Sequence, residues 1–167
     1  TPLQANVGNN SVTLRATDAS GGYKEQSFTI AVVNVNDAPT FTSTAVTTVD
    51  EDSVYSYTIT VSDEDGDTAT ITAPTLPTWL SITDNGDNTA TLTGTPLNDH
   101  VGNNSVTIRA SDSNGGTTDQ SFVIVVSNTN DAPTITSTPT TTTNEDSVYT
   151  YNICLLYTSP SPRDLLK

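Results

Sequence analysis

From Tyr55 to Val61 the chain alternates without a miss: Tyr55, Tyr57, Ile59 and Val61 are aromatic or aliphatic, and Ser56, Thr58 and Thr60 between them are polar. A period of two puts each set on its own face of an extended strand, the signature of a strand with one buried face. Val106, Ile108 and Ala110 repeat the pattern, as do Phe122, Ile124 and Val126. In that last run Val123 and Val125 are apolar too, which predicts a central strand buried on both sides. Asp65-Gly66, Asn85-Gly86 and Gly115-Gly116 supply turn signals between the runs. Runs near 41–48, 53–61, 68–73, 79–83, 88–93, 104–111 and 119–127 predict seven strands, almost no helix, and an all-β fold of two antiparallel sheets packed face to face.

Displacing the sequence by 94 residues aligns Thr1 with Thr95 and continues without a gap to Ile59 with Ile153; 38 of those 59 positions are identical. A period this long is a whole domain, close to the roughly 100 residues of an immunoglobulin-like sandwich. The boundary falls at N-x-N-D-A-P, at Asn34–Pro39 and Asn128–Pro133, because Pro stops strand pairing and the polar residues favour a turn. Residues 1–36 are then the C-terminal part of one repeat, 37–130 a complete repeat, and 131–153 the N-terminal part of a third. Each outer piece lacks most of its sandwich partners, so disorder or loose docking is expected there.

The repetition stops at Cys154, where a continued repeat would resemble Thr60-Val61-Ser62-Asp63 but the chain reads C-L-L-Y-T-S-P-S-P-R-D-L-L-K. Cys154 to Asp164 matches one reading frame of a common transposase-type sequencing-library adapter. Residues 154–167 are therefore expected to be a non-native, disordered tail.

Charge narrows the partners. The 167 residues hold 19 Asp and Glu against 5 Lys and Arg, a net charge of -14, and without the tail 18 acids still face 3 bases. Such a polyanion is unsuited to nucleic acid or an anionic membrane surface, and cations are its natural partners. The only cysteine is Cys154 in the tail, so the repeats carry no disulfide and depend on core burial or metal. No apolar run approaches the roughly 20 residues that cross a bilayer, and no basic stretch with an apolar core opens the chain. With no Met, and with residue 1 inside a motif, the sequence is expected to begin in mid-frame, with neither signal peptide nor anchor.

The block L-P-T-W-L-S-I at Leu76–Ile82 and the run from Gly94-Thr95-Pro96 to Ala110-Ser111-Asp112 resemble the immunoglobulin-type and dystroglycan-type cadherin-like tandem repeats of bacterial surface proteins. The resemblance covers the middle repeat and, through the internal repetition, about 153 residues. It implies an immunoglobulin/cadherin-like sandwich, stalk and adhesion roles, and a core position for Trp79. Cadherins hold calcium between successive domains with a Glu near the first strand, a D-x-D after the second, an acidic motif midway, a late Asp and a D-x-N-D-N linker. The matching positions here are Glu51, Asp63 with Asp65, Asp99, Asp112, and Asn128, Asn130 and Asp131. On this resemblance a first Ca²⁺ junction takes Asp18, Asn36, Asp37, Asp63 and Asp65, and a second takes Glu51, Asp99, Asp112, Asn130 and Asp131. Asn34 and Asn128 stand where the cadherin linker opens with Asp, and Asp99 alone represents the midway motif, which implies weaker sites. The chemistry agrees, since Ca²⁺ takes six to eight hard oxygens and two carboxylates about 4 Å apart repel by roughly 4 kcal/mol without a cation.

Other chemistry finds little support. Asp63-Glu64-Asp65-Gly66-Asp67 opens like an EF-hand loop, but its twelfth position is Pro74 and no helices flank it. His100, the single histidine, reads as a surface-loop residue with no triad around it, and Asp63 with Asp65 has no cleft in which to act as a glycosidase pair. The sequons at Asn9 and Asn103 read as chance. The expected function is a non-catalytic extracellular spacer or adhesion repeat, with neighbouring repeats as partners and a surface or carbohydrate target. The alternative is a carbohydrate- or ligand-binding sandwich module. That alternative needs exposed aromatics, and its one loop candidate, Tyr23, becomes Thr117 in the next repeat.

Overall fold

The computed structural model describes residues 1–157. A hairpin of β1 (Gly8–Thr17) and β2 (Tyr23–Val32) leads into β3 (Thr40–Phe41), β4 (Thr48–Asp50), β5 (Tyr55–Ser62), β6 (Thr70–Thr75), β7 (Leu80–Asp84), β8 (Thr89–Gly94), β9 (Gly102–Ser111) and β10 (Thr117–Ser127), followed by β11 (Thr134–Ile135) and β12 (Leu155–Leu156). The helical content of the described residues is two 3-10 turns, Gln4–Asn6 and Asn98–His100, so no described helix is long and apolar enough to cross a membrane.

Strands β3 to β10 form two four-stranded sheets, ordered β3-β5-β8-β7 and β4-β10-β9-β6. The alternation read from the sequence sets what lies between them. Tyr55, Tyr57, Ile59 and Val61 from β5 meet Ala90 and Leu92 from β8, Val106, Ile108 and Ala110 from β9, and Ile124 and Val126 from β10, all buried. Full burial of each Val, Ile or Leu among them is worth about 1.5–3 kcal/mol, and of each Ala less. Val123 and Val125 correct the expectation of two-sided burial. Strand β10 is central between β4 and β9, yet these residues remain 42% and 43% exposed, because a two-layer sandwich covers only one face of each sheet.

The expected run 41–48 divides into two short strands in opposite sheets, giving eight strands where seven were predicted. Strand β3 pairs antiparallel with β5, whereas β4 pairs parallel with β10, the one departure from antiparallel pairing among the described strands. Side chains make the crossing. Ser43 Oγ accepts Thr60 N–H at 2.9 Å, in place of a backbone carbonyl, and lies 2.8 Å from Tyr57 Oη. Tyr57 Oη also donates to Gln120 Oε1 at 3.0 Å, so one phenol ties the crossing segment to both sheets.

Trp79 is half-buried against the core, edge-on to Tyr55 at 5.9 Å, and its Nε1 donates to Asn104 Oδ1 at 3.0 Å. Gly94 is needed for a close approach: a Cβ there would collide with the Trp79 carbonyl oxygen. His100 Nδ1 accepts Leu97 N–H at 2.9 Å and so closes the turn it belongs to.

Both outer pieces carry strands. Strands β1 and β2 form a ten-pair ladder from Gly8↔Val32 to Thr17↔Tyr23, displaced by 94 residues from its counterpart in β9 and β10. With no second sheet over it, Leu14, Phe28 and Ile30 lie exposed. At the other end Thr134↔Leu156 and Ile135↔Leu155 reproduce Thr40↔Ser62 and Phe41↔Val61. The first tail residues therefore take the place of the repeat's own in a backbone ladder, which does not read side chains. Of the expected tail, residues 154–157 are described, with Leu155 and Leu156 in β12, and residues 158–167 lie outside the described part.

Candidate metal centres at the ends of the module

Strand β5 starts at one end of the sandwich and finishes at the other, and a carboxylate marks each end. Glu51 lies just before it, beside the C-terminal linker: its N–H donates to Ser127 O at 2.9 Å and its Oε1 accepts Thr129 N–H at 2.6 Å. Glu51 is 2% exposed, and its second oxygen, Oε2, is buried with no hydrogen-bond partner. A buried charge left unpaired is among the costlier features a fold can carry. The next residue, Asp52, has φ of 62° and donates its N–H to Pro96 O at 2.8 Å, which brings the Asn98–His100 turn to the same end.

Asp63 follows β5 at the opposite end. Its Oδ1 accepts the N–H groups of Asp65 at 2.9 Å and Asp67 at 3.3 Å, a turn closed by a side chain, while Oδ2 is a second buried oxygen with no partner. Asp65 faces the preceding linker: Oδ2 accepts Asp37 N–H at 2.8 Å and Oδ1 accepts Gln4 Nε2 at 2.8 Å. Asp112 completes this end. Its Oδ2 accepts Asn36 Nδ2 at 3.0 Å, and its Oδ1 accepts Asn114 N–H and Gly116 N–H, both at 2.8 Å. The Asn36 carboxamide, followed by the amides of Gly116, Asn114 and Gly115, holds the Asp112 carboxyl below its ordinary value against the opposing effect of desolvation. Gly116 has no room for a side chain, since a Cβ would press on Asp112 Oδ2 and on Ala38.

The structure thus brings Asn36, Asp37, Asp63, Asp65 and Asp112 together at the first junction, which moves Asp112 from the second group expected from the sequence. The reason is strand parity. Strand β9 runs toward the N-terminal end, so the turn after it must lie beside the linker that enters the module. Asp18 occupies the same turn of the preceding repeat, where its Oδ1 accepts Ser20 and Gly22 N–H groups at 2.9 Å, so it belongs to that repeat's far end. Glu51 is at the second junction with Asn130 and Asp131 in the linker that follows, and Asp99 is exposed in the neighbouring 3-10 turn.

Three further residues, Gln4, Asp67 and Asn114, also serve the first end. Gln4 reaches Asp65, and Asn114 Nδ2 donates to Asp67 Oδ2 at 2.6 Å. The run D-x-D-x-D signalled Asp67, but nothing in the sequence distinguished Gln4. Among the described residues no three His, Cys, Asp or Glu side chains are gathered closely enough to hold a metal ion by themselves. A cation at either end would therefore also draw on Asn and backbone oxygens, a donor set that suits Ca²⁺ and not a softer metal.

Among solved structures, an endo-fucoidan hydrolase of glycoside hydrolase family 107 is 31% identical with a TM-score of 0.51, over 77% of this chain and 20% of that one. The protocadherin GammaB4 extracellular domain matches 93% of this chain and 27% of its own with a TM-score of 0.58 at 18% identity. The SrpA adhesin from Streptococcus sanguinis matches 64% of this chain and 68% of its own with a TM-score of 0.50 at 20% identity. The last two likenesses concern the fold alone, and this chain spans about a fifth of the hydrolase. Among curated proteins nothing matches. The family described as Putative Ig domain covers residues 38–127, from the first linker to the end of β10, and the chain belongs to that family.

Proposed function

We propose that this chain is a non-catalytic extracellular spacer or adhesion segment whose repeats are stiffened by Ca²⁺ at the joints. The observation that carries this reading is Glu51. A 2% exposed carboxylate with one oxygen unpartnered is costly to bury, and it faces a polar linker that offers further oxygens. A cation there supplies the missing partner. Asp63 Oδ2, buried without a partner in the turn that carries Asp65, supports the same reading at the first junction, where Asp65 takes the Asp37 amide and Asp112 takes Asn36. Extracellular calcium modules bind at about 10⁻⁴–10⁻³ M, an affinity that fills the sites outside a cell and leaves them empty inside.

Calorimetric melting of the whole chain in millimolar CaCl₂ and in EDTA tests this. The expected result is a higher Tm with calcium in the native chain and no such rise in Asp63→Ala combined with Glu51→Ala. Superimposable melts of the native chain in the two solutions would discard the calcium role.

A second reading, a carbohydrate-binding module, is favoured by one observation: the 31% identity with a segment of an enzyme that acts on fucoidan. Retardation of the chain in a gel cast with fucoidan, absent with a neutral glucan, would support it.

A further inference from the structure

The residue of the leading repeat that reaches across the first junction is a neutral one. Gln4 opens the Gln4–Asn6 turn, which Asn6 Oδ1 closes by accepting Leu3 N–H at 2.9 Å. Asn10 Nδ2 then braces the turn to β1 by donating to Asn6 O at 2.7 Å and Gly8 O at 3.1 Å. From this platform Gln4 Nε2 donates to Asp65 Oδ1 at 2.8 Å, across 61 residues of sequence. Since Asp65 Oδ2 already takes the Asp37 amide, both oxygens of this carboxylate are satisfied, one by the leading repeat and one by the linker. A charge-assisted hydrogen bond of this length is among the stronger ones a protein makes.

We propose that Gln4 is a metal-free latch between successive repeats, and that the residue at its position decides how far a joint stays aligned when calcium is absent. The latch stands on its own hydrogen bond, while its interplay with the ion rests on the calcium reading above. A carboxamide carries a hard oxygen beside its donor, so rotating the Gln4 side chain presents Oε1 to a cation held by Asp65. The same side chain thereby serves the joint with and without the ion. In the middle repeat the corresponding residue is Asn98, at the start of an equivalent turn that His100 Nδ1 closes by accepting Leu97 N–H at 2.9 Å. Asn98 is one methylene shorter than Gln4.

Backbone ¹⁵N relaxation of the full chain in EDTA tests the latch directly, by asking whether β1 and β2 tumble with the sandwich. In the native chain one rotational correlation time is expected for both. In Gln4→Ala and Gln4→Glu the hairpin is expected to acquire a shorter one while the amide shifts of β5 to β10 stay in place. A native hairpin that already tumbles independently in EDTA, or variants that leave its relaxation unchanged, would overturn the latch. Adding CaCl₂ to Gln4→Glu separates the two proposals: a restored common correlation time supports the calcium site, and its failure to return counts against calcium while leaving the EDTA result intact.

Discussion

Replacing Glu51 by Gln isolates the charge at the C-terminal end of the module. The variant keeps an acceptor for the Thr129 amide, held at 2.6 Å in the native protein, and puts a neutral amide where Oε2 is buried without a partner. A buried polar atom left unsatisfied costs about 1–3 kcal/mol, and more when it is charged. Without metal, Glu51→Gln should therefore be more stable than the native chain by about 1 kcal/mol. For a domain of this size that raises Tm by about 4–8 °C. With calcium the order should reverse, because an ion bound to the native state at a hundredfold excess over Kd contributes about 2.7 kcal/mol and the variant has lost the ligand. Differential scanning calorimetry of both proteins in EDTA and in CaCl₂ gives the four melting temperatures. If Glu51→Gln is less stable by the same amount in both solutions, the native carboxylate is satisfied by the protein itself and the reasoning fails.

Gly94→Ala should destabilise the sandwich by about 3 kcal/mol or more, because its Cβ meets a backbone oxygen that cannot rotate away; urea unfolding followed by Trp79 fluorescence reads this. Tyr57→Phe removes the hydroxyl shared with Ser43 and Gln120 and should cost about 1–3 kcal/mol in the same assay, with the fold retained. Asp112 has its folded value below the ordinary 3.8, so its contribution to stability is complete above that pH and is lost as the pH falls through the lowered value. Acid unfolding of Asp112→Asn should accordingly show a shallower loss of stability below pH 3.8 than the native chain.

The buried faces of β5, β9 and β10 were legible because period-two alternation records which side of a strand meets a core, and each predicted inward residue of those strands lies inward. The outer face of β10 was not, since Val123 and Val125 carry the same apolar signal whether or not a layer covers them. The break in the first strand was hidden as well: Thr42 and Ser43 look like ordinary strand residues, and only Ser43 Oγ, standing in for a carbonyl, reveals why the chain changes sheets. At the candidate sites, residue types were readable and their grouping was not. Which end of a sandwich a turn occupies depends on counting strands correctly, and one parity step separates Asp112 at the first joint from the second. Gln4 escaped notice because its role follows from a contact across the joint and not from any local motif.

The parallel pairing of β4 with β10 also bears on how the module responds to force. A segment in a stalk is pulled at its two ends, and once the two-residue β3 has parted from β5, β4 and the last strand, β10, lie side by side in one sheet, running the same way. Tension along the chain must slide them past each other, so the bonds from Val125 N to Thr47 O and from Glu51 N to Ser127 O, with the three residue pairs between them, are loaded in shear together. Strands peeled apart from one end would instead lose these bonds one at a time. The short parallel ladder is thus the clasp that a pulled chain must break before β10 is drawn away from the core, and Glu51 is anchored at its final bond.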